Sequence, residues 1–383
     1  MRRPGPIRNR TTIAGFGLIE LMVAMTIALI LSAATLTLYL NMSRSNSELA
    51  KTSSQMEHGR LAIRLLRDDL MHAGFLDGYV PTFDDLTAAS TADREKLRTI
   101  PSPADFPKSV PAPCARYEEW DEEGDDQGKT DRIGLPVQLY GSIPSGCTEL
   151  LTHASEGNDV LLVRHVDTCV MGSTNCEPGT LYWQTSRCNA ASTPRYVLSD
   201  KEAELVLRKR NCLELADKRR FLNNIYYIRS YASEEGDGIP TLMRSHFAGL
   251  AQQPAVAMVE GIEAMRFVFG VDNLSDTGEA VNYDDALLWA SALNRNSPTN
   301  RGDGSPDSTC TSATPCSVED LTNTVVVQVH LLVRNIEQTP GYQSGKTYNL
   351  GGQTFGPFTD AFQRHVYSTT VRLTNVSARR ETP

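Results

Sequence analysis

The sequence predicts an α+β protein. One long N-terminal helix, membrane-spanning in its first half and amphipathic in its second, packs on a mainly antiparallel β-sheet head with long disulfide-bearing loops. Three observations predict it: an apolar run from Gly15 to Met42, helix-spaced apolar residues continuing to Ala73, and six strand-like runs gathered behind them. Strands that follow a single long helix, rather than alternating with helices, favour an antiparallel sheet.

From Phe16 to Leu40 the chain is almost wholly apolar, long enough to cross a bilayer core of about 30 Å at about 1.5 Å per residue. Glu20 interrupts it, and a carboxylate at that depth costs on the order of 2.5–3.5 kcal/mol. Arg2, Arg3, Arg8 and Arg10 precede the run without an acidic residue, which puts that end in the cytoplasm and the bulk of the chain across the membrane. A cleaved secretory signal, cut near Leu31-Ser32-Ala33-Ala34, is the alternative. Against it stand the Gly15-Phe16 junction ahead of the run, the acid inside it and the helical pattern beyond it. Ala24, Ala28 and Ser32 form a small-residue ladder that permits close helix packing.

Leu49, Met56, Ile63, Leu66, Leu70 and Ala73 continue at helical spacing, with Glu57, Arg60, Arg64, Arg67, Asp68 and Asp69 between them as a polar surface. Gly74 follows as a stop. Gly59 costs this helix about 1 kcal/mol relative to Ala and is a candidate bend. Tyr79–Pro113, with six prolines, reads as a surface connection. Glu118–Asp126 holds seven carboxylates in nine residues and reads as a solvated acidic loop, with calcium binding the sharper alternative.

Strands are expected over 159–166, 225–231, 241–247, 264–271, 324–333 and 364–373. Tyr283–Leu293 reads as a short helix. Asn294–Ser317 reads as an exposed loop closed by a disulfide.

The formal charge of −9 becomes −13 without residues 1–15 and their four arginines. No basic stripe remains for nucleic acid. Eight cysteines, Cys114, Cys147, Cys169, Cys176, Cys188, Cys212, Cys310 and Cys316, all lie beyond the apolar run. An even count there implies disulfides in an oxidising compartment. Eight cysteines allow 105 pairings; short spacing favours Cys310 with Cys316 and Cys169 with Cys176. Zinc is disfavoured by the absence of C-x-x-C. No G-x-S-x-G, H-E-x-x-H or P-loop occurs, which lowers an enzyme reading.

Gly15, Phe16 and Glu20, as G-F-x-x-x-E opening a hydrophobic helix, resemble the class III signal of type IV pilins and type II secretion pseudopilins. The resemblance implies cleavage by a prepilin peptidase between Gly15 and Phe16, N-methylation of Phe16, retention of the helix, and pairing of Glu20 with a neighbouring subunit's terminus. Segments 58–75, 158–166, 260–272, up to Asn335 and up to Asn375 resemble the PilW family of minor pilins.

That likeness implies a leader at 1–15, an assembly helix at 16–42, an amphipathic continuation at 43–75 and a periplasmic head at 76–383. It implies an inner-membrane subunit that joins other minor pilins and the major pilin, meets the assembly platform and helps prime pilus assembly, with a tip adhesin as a further partner. No cofactor is expected. A calcium site at Asp272, Asp276 and Glu279 is the weaker alternative, because Leu274 and Ser275 break the ligand spacing. A type II secretion pseudopilin and an exported soluble enzyme or binding protein are the rival functions.

Overall fold

The computed structural model describes residues 17–84, 105–121, 126–173, 176, 179–188, 194–285, 288 and 298–380. The chain divides into two compact units, Met1–Ser53 and Ser54–Pro383. Helix α1, Leu18–His72, supplies the described structure of the first unit after Gly17 and opens the second.

The second unit is the head. After a turn at Tyr117–Asp121 and helix α2 (Gln127–Gly134) come strands β1 (Val137–Tyr140), β2 (Val160–Val166), β3 (Tyr182–Thr185), β4 (Tyr196–Ser199) and β5 (Lys218–Arg229). Next are β6 (Thr241–Ala248), β7 (Ala251–Gln252) and β8 (Val256–Glu260). Strands β1 to β8 make one antiparallel sheet, with β5 at its centre beside β2, β3 and β6.

Strands β9 (Ile262–Val271), β10 (Ser308–Thr311), β11 (Thr324–Arg334) and β14 (Arg364–Arg372) form a second antiparallel sheet in the order β10-β9-β11-β14. Helix α3 (Val318–Thr322) precedes β11, the hairpin β12 (Tyr348–Leu350) and β13 (Gln353–Phe355) precedes β14, and helix α4 (Thr374–Arg380) follows it. One residue, Gly261, carries the chain from the first sheet to the second. It sits at φ +78°, and a Cβ there would stand 2.8 Å from the Arg334 carbonyl. Only glycine takes both conditions without strain.

The two sheets and the end of α1 share one core. Ala62, Leu66 and Leu70 of α1, with Ala73 just after it, cluster with Leu161, Val163, Tyr226 and Ile228 of the first sheet and Met265, Phe267, Phe269, Val327, Val329 and Leu331 of the second. The alternate face of the second sheet is covered by the β12–β13 hairpin, where Ala264, Leu332 and Leu350 meet. The six expected strands are present. β5 starts at Lys218, seven residues earlier than its apolar run, because its first residues pair with β3 rather than fill the core.

The helix stripe requires correction. Its buried residues are Gln55, Gly59, Ala62, Leu66 and Leu70, whereas Leu49 is 66% and Met56 42% exposed. Seven-residue steps fall about 20° short of two helical turns, so Leu49 and Met56 rotate away from the line through Leu66 and Leu70. Gln55, a polar residue, takes the inward place because its Nε2 donates to the carbonyls of Val333 (2.8 Å) and Gln363 (3.0 Å).

At Gly59, the candidate bend, α1 continues as helix. The Tyr367 ring of β14 lies where its side chain would be, with Cδ2 2.7 Å from an added Cβ. Asp69 is not surface either. Its carboxylate accepts from Asn224 Nδ2 at 3.0 Å and faces His165 Nε2 at 2.9 Å.

Two loop expectations also change, and a third, the acidic segment, keeps Glu118, Glu119 and Asp126 exposed. Tyr79, Phe83 and Asp84 at the head of the proline-rich segment are buried. Residues 298–317 hold β10, and the amides of Asp303 and Gly304 donate to the buried Asp272, so this stretch is wrapped against the sheet. In the acidic segment Trp120 is buried and Lys129 bridges Asp121 and Asp126; residues 122–125 lie outside the described residues. The helix expected over Tyr283–Leu293 falls mostly outside them too, and Tyr283–Asp285 is a turn.

Candidate assembly site

Residues 21–42 contain no ionisable Asp, Glu, Lys or Arg and, as helix, span about 33 Å. All of them are exposed, with nothing in the chain burying any part of the stretch. Leu18, Ile19, Leu29, Ile30, Leu38 and Tyr39 are among the large apolar side chains left uncovered. Continuous apolar exposure on this scale belongs to a surface that lipid or other helices cover.

Three of the hydroxyls inside the run are satisfied locally. Thr26, Thr35 and Thr37 donate their hydroxyls to the carbonyls of Val23, Ser32 and Ala34 at 2.8–3.0 Å. Such hydroxyls need no outside partner in hydrocarbon. Ala24, Ala28 and Ser32 follow at four-residue spacing on one face and are exposed, leaving a shallow strip against which another backbone can lie.

Glu20 stands in the first turn. The Leu21 amide donates to the Gly17 carbonyl at 3.1 Å, opening the helix, and the Gly17 amide donates to Glu20 Oε2 at 3.1 Å. This is one half of a capping box, with the acid also favoured by the positive end of the helix dipole. The carboxylate is thus folded back on the helix start, exposed, with acceptor capacity for a cation brought by a neighbour. Gly15 and Phe16 lie outside the described residues.

The eight cysteines form four disulfides: Cys114–Cys147, Cys169–Cys176, Cys188–Cys212 and Cys310–Cys316. The two short-range pairs match the spacing argument.

The three weaker calcium candidates are not brought together. Asp272 is 0% exposed and takes the Gly304 amide at 2.9 Å with Arg380 Nη1 at 3.6 Å, while Asp276 and Glu279 lie exposed on a tight turn. Burial pushes the Asp272 carboxyl up to about 6, against the pull of Arg380 and the Gly304 amide. Among the described residues no three His, Cys, Asp or Glu side chains are grouped to hold a metal.

Sequence reasoning missed what locks the end of α1. Asn375 Nδ2 of α4 donates to the carbonyls of Met71 and Ala73, each at 3.2 Å, and Arg379 Nη2 to that of Gly74 at 2.7 Å. These are carbonyls a helix terminus leaves without partners. Arg380 then pairs with the buried Asp84 at 3.0 Å. The one available signal was the pair of arginines at the end of a seven-residue run after the last strand.

The sequence model of the family described as type IV pilus-assembly protein W matches residues 225–375, and that of the prokaryotic N-terminal methylation motif matches residues 10–36. No curated protein matches the chain. Among solved structures, a type IV-like pilin from Thermus thermophilus aligns at 13% identity over 63% of this chain and 84% of that one. Its TM-score is 0.25, a likeness too weak to support any conclusion about this chain.

Proposed function

We infer that this chain, a type IV pilus-assembly protein of the W family with a prepilin methylation motif at its start, is a minor pilin that takes part in building the pilus. One observation carries the reading: the methylation-motif match runs into a helix whose uncharged stretch is wholly exposed and whose acid within the matched residues, Glu20, sits in its first turn. The apolar helix anchors the subunit in the membrane. Prepilin peptidase removes residues 1–15, and the head stands on the periplasmic side.

The partners in this reading are the other minor pilins, the major pilin and the assembly platform, with a tip adhesin as a further one. No cofactor is invoked. In the free subunit Glu20 bonds its own helix start. On assembly the carboxylate turns to the amino terminus of the next subunit, exchanging one hydrogen bond for an ion pair shielded from water.

The test is the mature N-terminus together with one variant. Mass spectrometry of the mature chain is expected to show N-methylated Phe16 first. Glu20→Ala is expected to be processed and membrane-bound yet missing from sheared pili. A mature chain beginning near Ala34, or a Glu20→Ala variant present in pili at the normal level, overturns the reading.

A further inference from the structure

The second sheet ends on β14, which pairs with β11 from Arg364 to Arg372 without a register shift. Two bonds beyond the ends of that ladder fix which way its main chain faces. The Leu373 amide donates to the Val325 carbonyl at 2.8 Å, and the Asn335 amide donates to the Gln363 carbonyl at 3.0 Å. In an antiparallel pair a residue's N–H and C=O point the same way and alternate along the strand. The odd-numbered residues of β14 therefore face β11, and Arg364, Val366, Ser368, Thr370 and Arg372 direct their main-chain groups outward.

Among the described residues no main-chain hydrogen bond reaches the outward groups of Val366, Ser368 and Thr370. The other strands with only one lateral partner, β1, β4, β7, β8, β10, β12 and β13, are two to five residues long. β14 has nine.

Exposed edges of that length are ordinarily blunted by lysine, proline, a bulge or an inward charge. β14 has such devices only at its ends, where Arg364 turns inward to Glu263 and Asp360 and Arg372 closes the strand; His365–Val371 between them carries none and reads His-Val-Tyr-Ser-Thr-Thr-Val, rich in strand formers. An edge left open in this way takes one kind of ligand, an extended backbone that continues the ladder, with donors and acceptors repeating at about 6.8 Å.

We propose that the outward edge of β14 is a strand-addition site for an extended segment of a neighbouring pilus subunit, joining head to head while the N-terminal helices bundle. The proposal rests on the minor-pilin reading and adds a second contact to it, one made by the main chain of the head. Because ladder bonds specify backbone and not side chains, the partner is defined by an unpaired edge or extended tail rather than by a particular residue.

The parity of β14 supplies the test. Residue-resolved hydrogen–deuterium exchange is measured on the full-length chain in detergent and on the same chain in sheared pili. The amides of Tyr367, Thr369 and Val371 are expected to be slow in both states. Those of Val366, Ser368 and Thr370 are expected to be fast in detergent and roughly 100-fold or more slower in pili.

Thr370→Pro removes one outward N–H and none of the β11 ladder. It is expected to lower the amount of the chain in pili while the inward amides stay slow. Outward amides that stay fast in pili overturn the proposal. So do outward amides already slow in detergent, which would mean that the chain's own residues cover the edge. A chain absent from pili altogether would instead overturn the minor-pilin reading, and the proposal with it.

Discussion

Gly59→Ala is expected to destabilise the head, although glycine to alanine inside a helix ordinarily gains about 1 kcal/mol. The added Cβ would lie 2.7 Å from Tyr367 Cδ2 and 2.6 Å from its Cζ, where carbon atoms at their optimum stand about 3.5–4.0 Å apart. The ring or the helix must therefore move by about 1 Å. Tyr367 is attached to β14, and α1 is held at Leu66 and Leu70 in the core, so neither moves freely.

Overpacking of this kind costs about 1–3 kcal/mol, which leaves a net loss of about 0–2 kcal/mol once the helix term is counted. The sharper measurement is a double-mutant cycle. With Tyr367→Ala in place the clash is gone, and Gly59→Ala is expected to stabilise by about 1 kcal/mol. The assay is urea unfolding of the full-length chain in detergent, followed by near-ultraviolet circular dichroism. If Gly59→Ala stabilises the protein equally with and without the Tyr367 ring, the glycine is not there for close approach and the reasoning fails.

Three further outcomes are expected. His165 has acceptors at both ring nitrogens, the Asp69 carboxylate at Nε2 and the Val166 carbonyl at Nδ1. Burial pushes its pKa down, yet these acceptors outweigh burial and hold it above the usual value. Its contribution is therefore full below the unfolded value of about 6.5 and is lost as pH rises through the higher folded value; the stability difference between the parent and His165→Gln, measured by urea titration, should shrink across that window, and a flat difference refutes the assignment. Replacing Cys114 and Cys147 together by serine opens a 33-residue separation and should cost about 3–4 kcal/mol in unfolding experiments, by the chain-entropy relation; an unchanged midpoint would contradict it. Asp84→Ala leaves Arg380 buried beside an absent partner and should cost about 3–5 kcal/mol, measured by thermal unfolding, whereas a loss under 1 kcal/mol would show that Asp272 suffices.

The parts of the fold written in local pattern were legible. In β11 the apolar Val327, Val329 and Leu331 alternate with Gln328 and His330, and Cys310 and Cys316 stand close enough in sequence to suggest their pairing. The apolar helix was legible for the same reason, since the run of apolar residues and the acid in its first turn are contiguous.

What remained hidden depends on residues far apart in the chain. Asp84 and Arg380 are almost three hundred positions apart, and no periodicity announces that they meet in the interior. Asp69 looks like helix surface until β2 and β5 bring His165 and Asn224 to it. Gly59 looks like a weak point until Tyr367 supplies the reason for it. Leu49 and Met56 misled because a seven-residue repeat resembles a continuous stripe yet turns slowly around a straight helix.

The clasp of α4 joins parts of the chain that are distant in sequence. Asn375 and Arg379 lie 302 to 305 positions downstream of the carbonyls of Met71, Ala73 and Gly74 that they hold. Both sheets are strung between the two halves of that fastening, so the helix exit and the tail of the last strand come loose together or not at all. A substitution at Asn375 is therefore felt at the far end of the molecule's numbering, where α1 leaves the core.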